Sequence, residues 1–207
     1  MECRLVALLG SPRREGNTAK LLQEAIRGAE DSGCAVRTVW VPGLQIKPCM
    51  EIFACKKMPA CAIKDEMQEY YDMIREADGL IVATPVMTMG VPGALKSFID
   101  RFQVFYMAKY ERKEPLITPE QRKVRRMLLL SIAGMNIKNL FAGLLQTMHA
   151  LGEIIDCPLS DTVLRDDMDT IQDLALRPEV LGEAYAKGYA LAEAIQKAKS
   201  EVIQAQK

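Results

Sequence analysis

The chain has 207 residues, with 27 Lys and Arg against 27 Asp and Glu, and therefore no formal net charge at pH 7. Hydrophobic residues make up 49% and charged residues 26%, proportions that exclude a disordered or fibrous protein. The balanced charge excludes a global nucleic-acid-binding field, and six cysteines are too few for a secreted disulfide scaffold. The length favours a single domain over residues 1–207.

No segment of the sequence predicts a membrane anchor or a signal peptide. The longest mainly apolar stretch, Met127 to Met135, is far shorter than the ~20 residues of a membrane-spanning helix. The five apolar residues Leu5 to Leu9 are too few for the core of a signal peptide. We therefore expect a cytoplasmic protein in a reducing environment, in which free thiols are more common than disulfides.

Apolar runs of strand length alternate with segments of helical periodicity along the chain. The predicted strands are Leu5–Leu9, Cys34–Val41, Gly79–Thr84, Met127–Ile132 and a weaker one near Glu153–Val163. The predicted helices have apolar residues three or four positions apart and cover Ala19–Ala29, Met67–Ile74, Leu95–Phe102, Phe141–Met148 and Leu181–Ile195. This alternation predicts an α/β fold, a doubly wound five-stranded parallel sheet with helices on both faces.

Two insertions interrupt the alternation of strands and helices. Residues 43–64 contain three of the six cysteines, and residues 106–124 are rich in Lys and Arg. Basic runs of this kind are usually solvated faces, and a lid or subunit contact that attracts an anionic cofactor is the sharper alternative. In doubly wound sheets ligands lie beyond the carboxyl ends of the strands, which directs attention to the loops after strands one, three and four.

The loop after the first strand, residues 10–18, has the composition of a phosphate-binding loop. It offers the hydroxyls of Ser11 and Thr18, the amide of Asn17 and the guanidinium groups of Arg13 and Arg14 at the start of a helix. It lacks the Gly-Lys-Ser/Thr of a P-loop and the second glycine of a dinucleotide fingerprint. Taken alone, the loop fits a mononucleotide phosphate site and a capped helix about equally well.

The loop after the third strand, residues 84–93, is small, apolar and rich in Pro and Gly. Such a segment can place apolar atoms against a flat heterocycle and main-chain amides against its edge. An ordinary Pro/Gly-rich connection is the alternative. The pairing with the first loop favours a cofactor site.

The motifs GSPRxxGNT at 10–18 and TPVMxMGVPGxLKxFIDR at 84–101 resemble the NADPH-dependent FMN reductase superfamily. Within it, the chain is most similar to the iron–sulfur flavoproteins of flavodoxin-like fold, and the resemblance covers most of residues 3–160. The resemblance implies an FMN cofactor, NADH or NADPH as electron donor, and a homodimer or homotetramer. It implies chemistry on the flavin, without a catalytic side chain.

The resemblance also assigns cofactor-binding residues in three groups. The group that would hold the FMN phosphate comprises Ser11, Arg13, Asn17 and Thr18. The group that would border the isoalloxazine ring comprises Pro85, Val86, Met87, Thr88, Met89 and Gly90. The loop after the fourth strand would close the far side with Ser131, Ala133 and Gly134. Relatives commonly carry an aromatic residue where Met87 stands, and a methionine can also cover the ring.

The cysteine segment is one ligand short of the pattern that iron–sulfur flavoproteins use. Their C-x2-C-x2-C run and one further cysteine are matched by Cys49, Cys55 and Cys61, while Ile52 occupies the second position. A four-iron cluster normally has four thiolate ligands. A degenerate segment without a [4Fe-4S] cluster is therefore favoured over a labile three-ligand cluster and over redox-active thiols.

The remaining cysteines, Cys3, Cys34 and Cys157, are expected to act as small core hydrophobes, and His149 as a structural residue. The leading hypothesis is an FMN flavoprotein oxidoreductase that takes electrons from NAD(P)H and passes them to a small-molecule or protein acceptor. A non-enzymatic flavodoxin-like or iron–sulfur flavoprotein electron carrier is the alternative, and a metal-binding scaffold or sensor is a third. No nucleic-acid or membrane partner is expected.

Overall fold

The protein folds around a five-stranded, fully parallel sheet; the computed structural model describes residues 2–205. The strands are β1 (Cys3–Leu9), β2 (Cys34–Trp40), β3 (Gly79–Pro85), β4 (Arg126–Ile132) and β5 (Leu159–Arg165). Their order in the sheet is β2-β1-β3-β4-β5, the flavodoxin-like doubly wound order. The predicted fold class is confirmed.

Eight α-helices connect and flank the strands within residues 2–205. They are α1 (Asn17–Asp31), α2 (Met67–Glu76), α3 (Gly93–Asp100), α4 (Gln103–Tyr106), α5 (Pro119–Val124), α6 (Ala142–Ile154), α7 (Met168–Ile171) and α8 (Pro178–Ala205). A π-helical turn, Met107–Arg112, follows α4. No helix in the described part of the chain is long and apolar enough to cross a membrane.

Alternation along the central strands divides the core into two layers. Leu5, Ala7 and Leu9 of β1 pack with the buried side chains of α1 and α8, whereas Val6 and Leu8 pack with α2, α3, α4 and α6. Successive side chains of a strand point to opposite faces of the sheet. The central strands therefore have to be apolar at nearly every position, which is why their sequence runs are continuous.

The predicted start of the fifth strand is wrong. Residues near Glu153 belong to α6, which continues to Ile154, and β5 begins only at Leu159. Leu151 and Ile155 are buried at helical spacing, so the apolar pattern extends the helix. β5 lies at the sheet edge and buries only Val163 fully, which leaves little strand signal in the sequence.

Two of the cysteines expected to be free core thiols are bonded to each other. Cys3 and Cys34 are register partners on β1 and β2, with Cα atoms 4.6 Å apart, and form a disulfide. The expectation was wrong for this pair, because the parallel register brings their side chains together on one face. Cys157 is a free and fully buried thiol, and burial raises its pKa.

Helices α1 and α8 approach each other through two glycines. A Cβ atom on Gly28 would overlap the carbonyl oxygen of Tyr185, and one on Gly188 would overlap the carbonyl oxygen of Ala25. The two backbones are therefore in direct contact at these points. This contact positions α1, whose first turn lies at the candidate site described below.

Gly28→Ala and Gly188→Ala are each expected to lower the free energy of unfolding by ~1–3 kcal/mol or more, because the added methyl forces the helices apart. Gly182→Ala in the same helix α8 is the matched control, since no atom lies within 4 Å of a Cβ there. The control should stabilise the protein by up to ~1 kcal/mol through helix propensity. Urea unfolding measures the free energy of unfolding of all three variants. Similar changes at the three positions would contradict the close contact between the backbones of α1 and α8.

Candidate functional site

A cleft of about 420 Å³ lies at the carboxyl ends of the central strands. Its volume is within the range of ~300–1,000 Å³ that is typical of small-molecule and cofactor sites. It is lined by four segments, which lie at or directly after the carboxyl ends of β1, β3, β4 and β5. The lining residues are Arg13, Asn17, Pro85, Val86, Ile132, Ala133, Gly134, Met168, Asp169 and Gln172.

The loop between β1 and α1 is held from two sides. The N–H of Gly10 donates to the carbonyl of Ala83 at 2.8 Å, which ties the loop to β3. The indole N–H of Trp40 donates to the carbonyl of Ser11 at 3.0 Å, and the Oγ of Ser11 accepts from the N–H of Arg13 at 3.1 Å. The side chain of Arg14 stacks on Trp40, 4.4 Å from the ring centroid, while Arg13 lines the cleft.

The first turn of α1 is left free to bind an anion. The N-cap residue Gly16 makes no side-chain cap, and the first turn contains no acidic residue. The N–H groups of Asn17 and Thr18 find no acceptor among residues 2–205. Free amides at a helix start, where the macrodipole contributes roughly half a positive charge, attract phosphate and carboxylate groups.

The four predicted phosphate-binding residues occupy different positions around this turn. Arg13 and Asn17 line the cleft, whereas the side chains of Ser11, in the loop, and Thr18, in α1, are buried and do not. The amide of Asn17 donates to the carbonyl of Gln172 at 2.8 Å and accepts from the N–H of Leu174 at 3.0 Å. The side chain of Asn17 therefore braces the segment after β5.

The loop after β3 forms a tight hairpin beside the cleft. The N–H of Val86 donates to the carbonyl of Ile132 at 2.9 Å, and Met87 and Gly90 exchange two main-chain hydrogen bonds of 2.9 and 3.0 Å. Between them Thr88 and Met89 both have positive φ, 48° and 63°, the pattern of a type I′ turn.

Positive φ at two residues with side chains costs of the order of 1–3 kcal/mol each. The hairpin is held by its contact with α6, because Gly143 leaves room for the carbonyl oxygen of Met89 where a Cβ would overlap it. Met87 and Met89 are exposed next to the cleft. They are available to cover a ligand, although neither they nor Thr88 and Gly90 line the cleft itself.

The loop after β4 forms the opposite wall. Ala133 and Gly134 line the cleft, but the hydroxyl of Ser131 is fully buried and donates to the carbonyl of Thr84 at 2.7 Å. Ser131 thus joins the ends of β3 and β4 behind the cleft. The carbonyls of Ala133 and Gly134 accept from the N–H groups of Met168 and Asp169 at 3.0 and 3.1 Å.

Three lining residues were not predicted from the sequence to belong to the site: Met168, Asp169 and Gln172. They belong to the segment after β5, whereas the predicted site residues follow strands one, three and four. Parallel pairing of β4 with β5 brings that segment to the same edge, so the topology itself was the usable signal. His149 is exposed on α6 and does not line the cleft.

The cysteine segment is closed at its neck by a buried ion pair. Arg101, only 1% exposed, donates to both carboxylate oxygens of Asp65 at 2.6 and 3.0 Å and to the carbonyls of Lys47 and Ile63 at 2.8 and 3.3 Å. Burial acts to raise the pKa of Asp65, but hydrogen bonds from Arg101 and from the Lys47 main chain hold it below its ordinary value. Residues on both sides of the segment are thereby joined to one guanidinium.

The three cysteines of this segment do not fit a four-thiolate cluster. Cys55 is buried, and burial raises its pKa, while Cys49 and Cys61 are half-buried. Ile52, at the second cysteine position of the motif, is 57% exposed. Within residues 2–205, no three His, Cys, Asp or Glu side chains are grouped to hold a metal ion.

The basic insertion is held by contacts within the chain. Lys109 and Arg122 donate to the buried carboxylate of Asp156 at 2.8 and 3.2 Å. Arg112 donates to the carboxylate of Glu114 and to the carbonyl of Cys55. These contacts dock the insertion against the α6–β5 connection and the cysteine segment, and its Lys and Arg side chains do not line the cleft.

The sheet order defines a flavodoxin-like α/β protein, and its cleft lies at the topological switch point, where ligands bind in sheets of this kind. The family model described as NADPH-dependent FMN reductase matches residues 3–156, and the chain belongs to this family. The resemblance found in the two loop motifs is thereby confirmed.

Curated relatives include an "Iron-sulfur flavoprotein" of Archaeoglobus fulgidus, 37% identical over 107 residues that make up 52% of this chain and 54% of the relative. A protein of the same name from Methanosarcina thermophila is 36% identical over 98 residues, 47% of this chain and 51% of the relative. The chain thus spans about half the length of the curated relatives it matches. Among solved structures, "NAD(P)H:quinone oxidoreductase from Methanothermobacter marburgensis" superposes with a TM-score of 0.69 at 18% identity, covering 92% of this chain and 98% of that one. This likeness shows the fold.

Arg101→Leu is expected to lower the free energy of unfolding by ~3–5 kcal/mol, because it leaves the Asp65 carboxylate buried without its partner. Lys96→Leu is the control: Lys96 pairs with Asp100 in the preceding helix α3, but both side chains are exposed, and such pairs contribute ~0.3–0.5 kcal/mol. Urea unfolding compares the two variants.

The depressed pKa of Asp65 also sets a pH dependence. Its ion pair stabilises the fold above the ordinary aspartate pKa of ~3.9 and loses this contribution as the pH falls further. The difference in the free energy of unfolding between wild type and Arg101→Leu should therefore become smaller below about pH 4. Equal losses for Arg101→Leu and Lys96→Leu at neutral pH would contradict the importance of the buried pair.

Proposed function

We propose that this chain binds FMN in the cleft and is an NAD(P)H-dependent flavoprotein oxidoreductase that passes electrons to a small-molecule or protein acceptor. The observation that carries the proposal is the free first turn of α1, with Arg13 beside it, at one end of a cleft that is also lined by the apolar residues Pro85, Val86 and Ala133. A flavin mononucleotide joins a dianionic phosphate to a flat heterocyclic ring through an uncharged ribityl chain, and its phosphate fits this set of N–H donors. The family of the chain supports the same cofactor.

The phosphate of FMN is bound at the first turn of α1. The N–H groups of Asn17 and Thr18 and the guanidinium of Arg13 bind the phosphate. The loop is held by the hydrogen bonds of Ser11 with Arg13 and Trp40, and Thr18 is buried in the first turn of α1. Little conformational entropy is therefore lost when the phosphate binds. Asn17 contributes its main chain to the phosphate and its side chain to the brace at Gln172.

The ring lies against the walls made by the loops after β3 and β4. Pro85 and Val86 form one wall and Ala133 and Gly134 the other, while Met87 and Met89 cover the open side together with the turn residues Thr88 and Gly90. Ser131 supports the second wall from behind through its hydrogen bond to Thr84. When bound, FMN supplies the hydride and electron chemistry, and the side chains of the chain orient it and exclude water.

Arg13→Ala is expected to weaken FMN binding by ~10- to 100-fold, because a hydrogen bond between charged groups contributes ~1.5–3 kcal/mol. Binding of riboflavin, which lacks the phosphate, should change little. Arg14→Ala is the matched control, since Arg14 stacks on Trp40 outside the cleft. Flavin fluorescence titrations of the apo-proteins measure the affinities of wild type and both variants for FMN and riboflavin.

The FMN-loaded protein should be bleached by NADH or NADPH under anaerobic conditions and should oxidise it steadily when an acceptor is supplied. A protein that takes up no FMN would contradict the proposal outright. Tight FMN binding without oxidation of either nucleotide would favour the electron carrier.

We also propose that the protein works without an iron–sulfur cluster, because one of the four thiolate positions is taken by exposed Ile52. After anaerobic incubation with iron and sulfide, wild type should contain far less than the roughly four irons per chain of a cubane cluster. Cys49→Ser should have the same iron content and visible spectrum as wild type. About four irons in wild type that are lost in Cys49→Ser would overturn this.

A homodimer or homotetramer is part of the same proposal. The cysteine segment exposes Met50, Ile52 and Met58, and grouped exposed apolar side chains mark interaction surfaces. A monomer in light scattering at micromolar concentration would contradict it.

A further inference from the structure

The segment after β5 crosses the carboxyl edge of the sheet and presents one carboxylate to the cleft. Its main chain is bound to the β4 loop through Met168 and Asp169, and to α1 through Gln172 and Leu174, which both contact Asn17. The position of Asp169 is therefore set by main-chain hydrogen bonds on both sides of it. Among residues 2–205, its side chain and that of Arg13 are the two charged groups that line the cleft.

The carboxylate of Asp169 has no partner within residues 2–205, although two of its acidic neighbours, Asp167 and Asp173, have theirs. Asp173 binds the Lys20 ammonium at 2.5 Å, and Asp167 accepts from the Thr170 hydroxyl at 2.8 Å. No ion pair or hydrogen bond is made by the carboxylate oxygens of Asp169 in the described part of the chain. It is therefore available to accept hydrogen bonds from a ligand.

Gly134 makes room for this carboxylate. A Cβ atom on Gly134 would lie 2.5 Å from both oxygens of Asp169, so that any larger residue at position 134 would displace the acid. The contact places the carboxylate against the end of β4. The free first turn of α1 lies at the end of β1, two strands away in the order β1-β3-β4.

Two strand spacings correspond to roughly 9–10 Å. This is about one Debye length, so in a solvent-exposed cleft salt weakens the repulsion between the carboxylate and a phosphate at α1. The carboxylate therefore faces the uncharged part of a ligand whose phosphate is held at α1. Carboxylates bind N–H and O–H donors through short, charge-assisted hydrogen bonds, which are about twice as strong as neutral ones.

We propose that the Asp169 carboxylate accepts a hydrogen bond from an uncharged N–H or O–H donor of the flavin, and so positions the ring end of the cofactor against the β4 loop. This inference rests on the proposed function. The donor is either a hydroxyl of the ribityl chain or the imide N–H of the ring. Asp169 is a positioning residue, and it also disfavours ligands with a second anionic group at this end of the cleft.

Asp169→Ala is expected to weaken the binding of both FMN and riboflavin by ~10- to 100-fold, as for a lost hydrogen bond to a charged group. Asp169→Asn keeps a neutral acceptor and should lose less. Asp166→Asn is the matched control, because Asp166 lies on the same segment and does not line the cleft. Fluorescence titration measures the affinities, and thermal unfolding shows whether each variant is folded.

Lumiflavin, which has the ring but no ribityl chain, separates the two donors. Weaker lumiflavin binding to Asp169→Ala assigns the bond to the ring N–H, whereas unchanged lumiflavin binding with weaker riboflavin binding assigns it to a hydroxyl. Wild-type affinities of Asp169→Ala for FMN and riboflavin, or a gain in affinity for FMN alone, would overturn the inference. A wild-type protein that binds none of the three flavins would overturn the proposed function and this inference with it.

Discussion

Parallel pairing of three strands that are buried on both faces is the constraint on which the rest of the structure depends. Because β1, β3 and β4 are apolar at almost every position, they can only lie in the middle of the sheet, with helices on both sides. Their carboxyl ends then meet at one edge. The polar residues that cannot enter the core follow these ends, and this is why the candidate site forms there.

The same edge also separates the charges that a ligand would meet. The free amides of α1 and Arg13 lie at the end of β1, and the Asp169 carboxylate lies against Gly134 at the end of β4. A ligand with an anionic end and a neutral donor-bearing end fits this arrangement in one orientation. Three other basic side chains are occupied elsewhere: Arg101 closes the cysteine segment, while Lys109 and Arg122 dock the basic insertion onto Asp156.

The sequence was sufficient for the fold class and for the loops that build three walls of the cleft, because both follow from local patterns. Continuous apolar runs indicate buried strands, and residues 10–18 and 84–93 stand directly after two of them. It was not sufficient for features that depend on how distant segments meet. The Cys3–Cys34 disulfide follows from the register of β1 on β2. The position of Asp169 in the cleft depends on its contact with Gly134, and neither feature is encoded in a local pattern.

The assignments of cofactor-binding residues all remain predictions, and two of those side chains have a main-chain partner in the structure. The sequence suggests that the side chains of Asn17 and Ser131 would face a cofactor, but in the structure they bind the Gln172 and Thr84 carbonyls. Whether such a short side chain binds a ligand or a main-chain carbonyl depends on which distant segment packs beside it, and the local sequence does not show this. The cytoplasmic location is likewise an expectation from the sequence. The Cys3–Cys34 disulfide does not favour it, because disulfides are rare in the reducing cytoplasm.

A crystal structure of the protein with FMN would show directly whether the cofactor binds in the cleft. We predict that the phosphate lies within hydrogen-bond distance of the Asn17 and Thr18 N–H groups, and that the ring lies between the loops after β3 and β4. A phosphate bound away from the first turn of α1, or a ring outside the cleft lined by Val86 and Gly134, would contradict it.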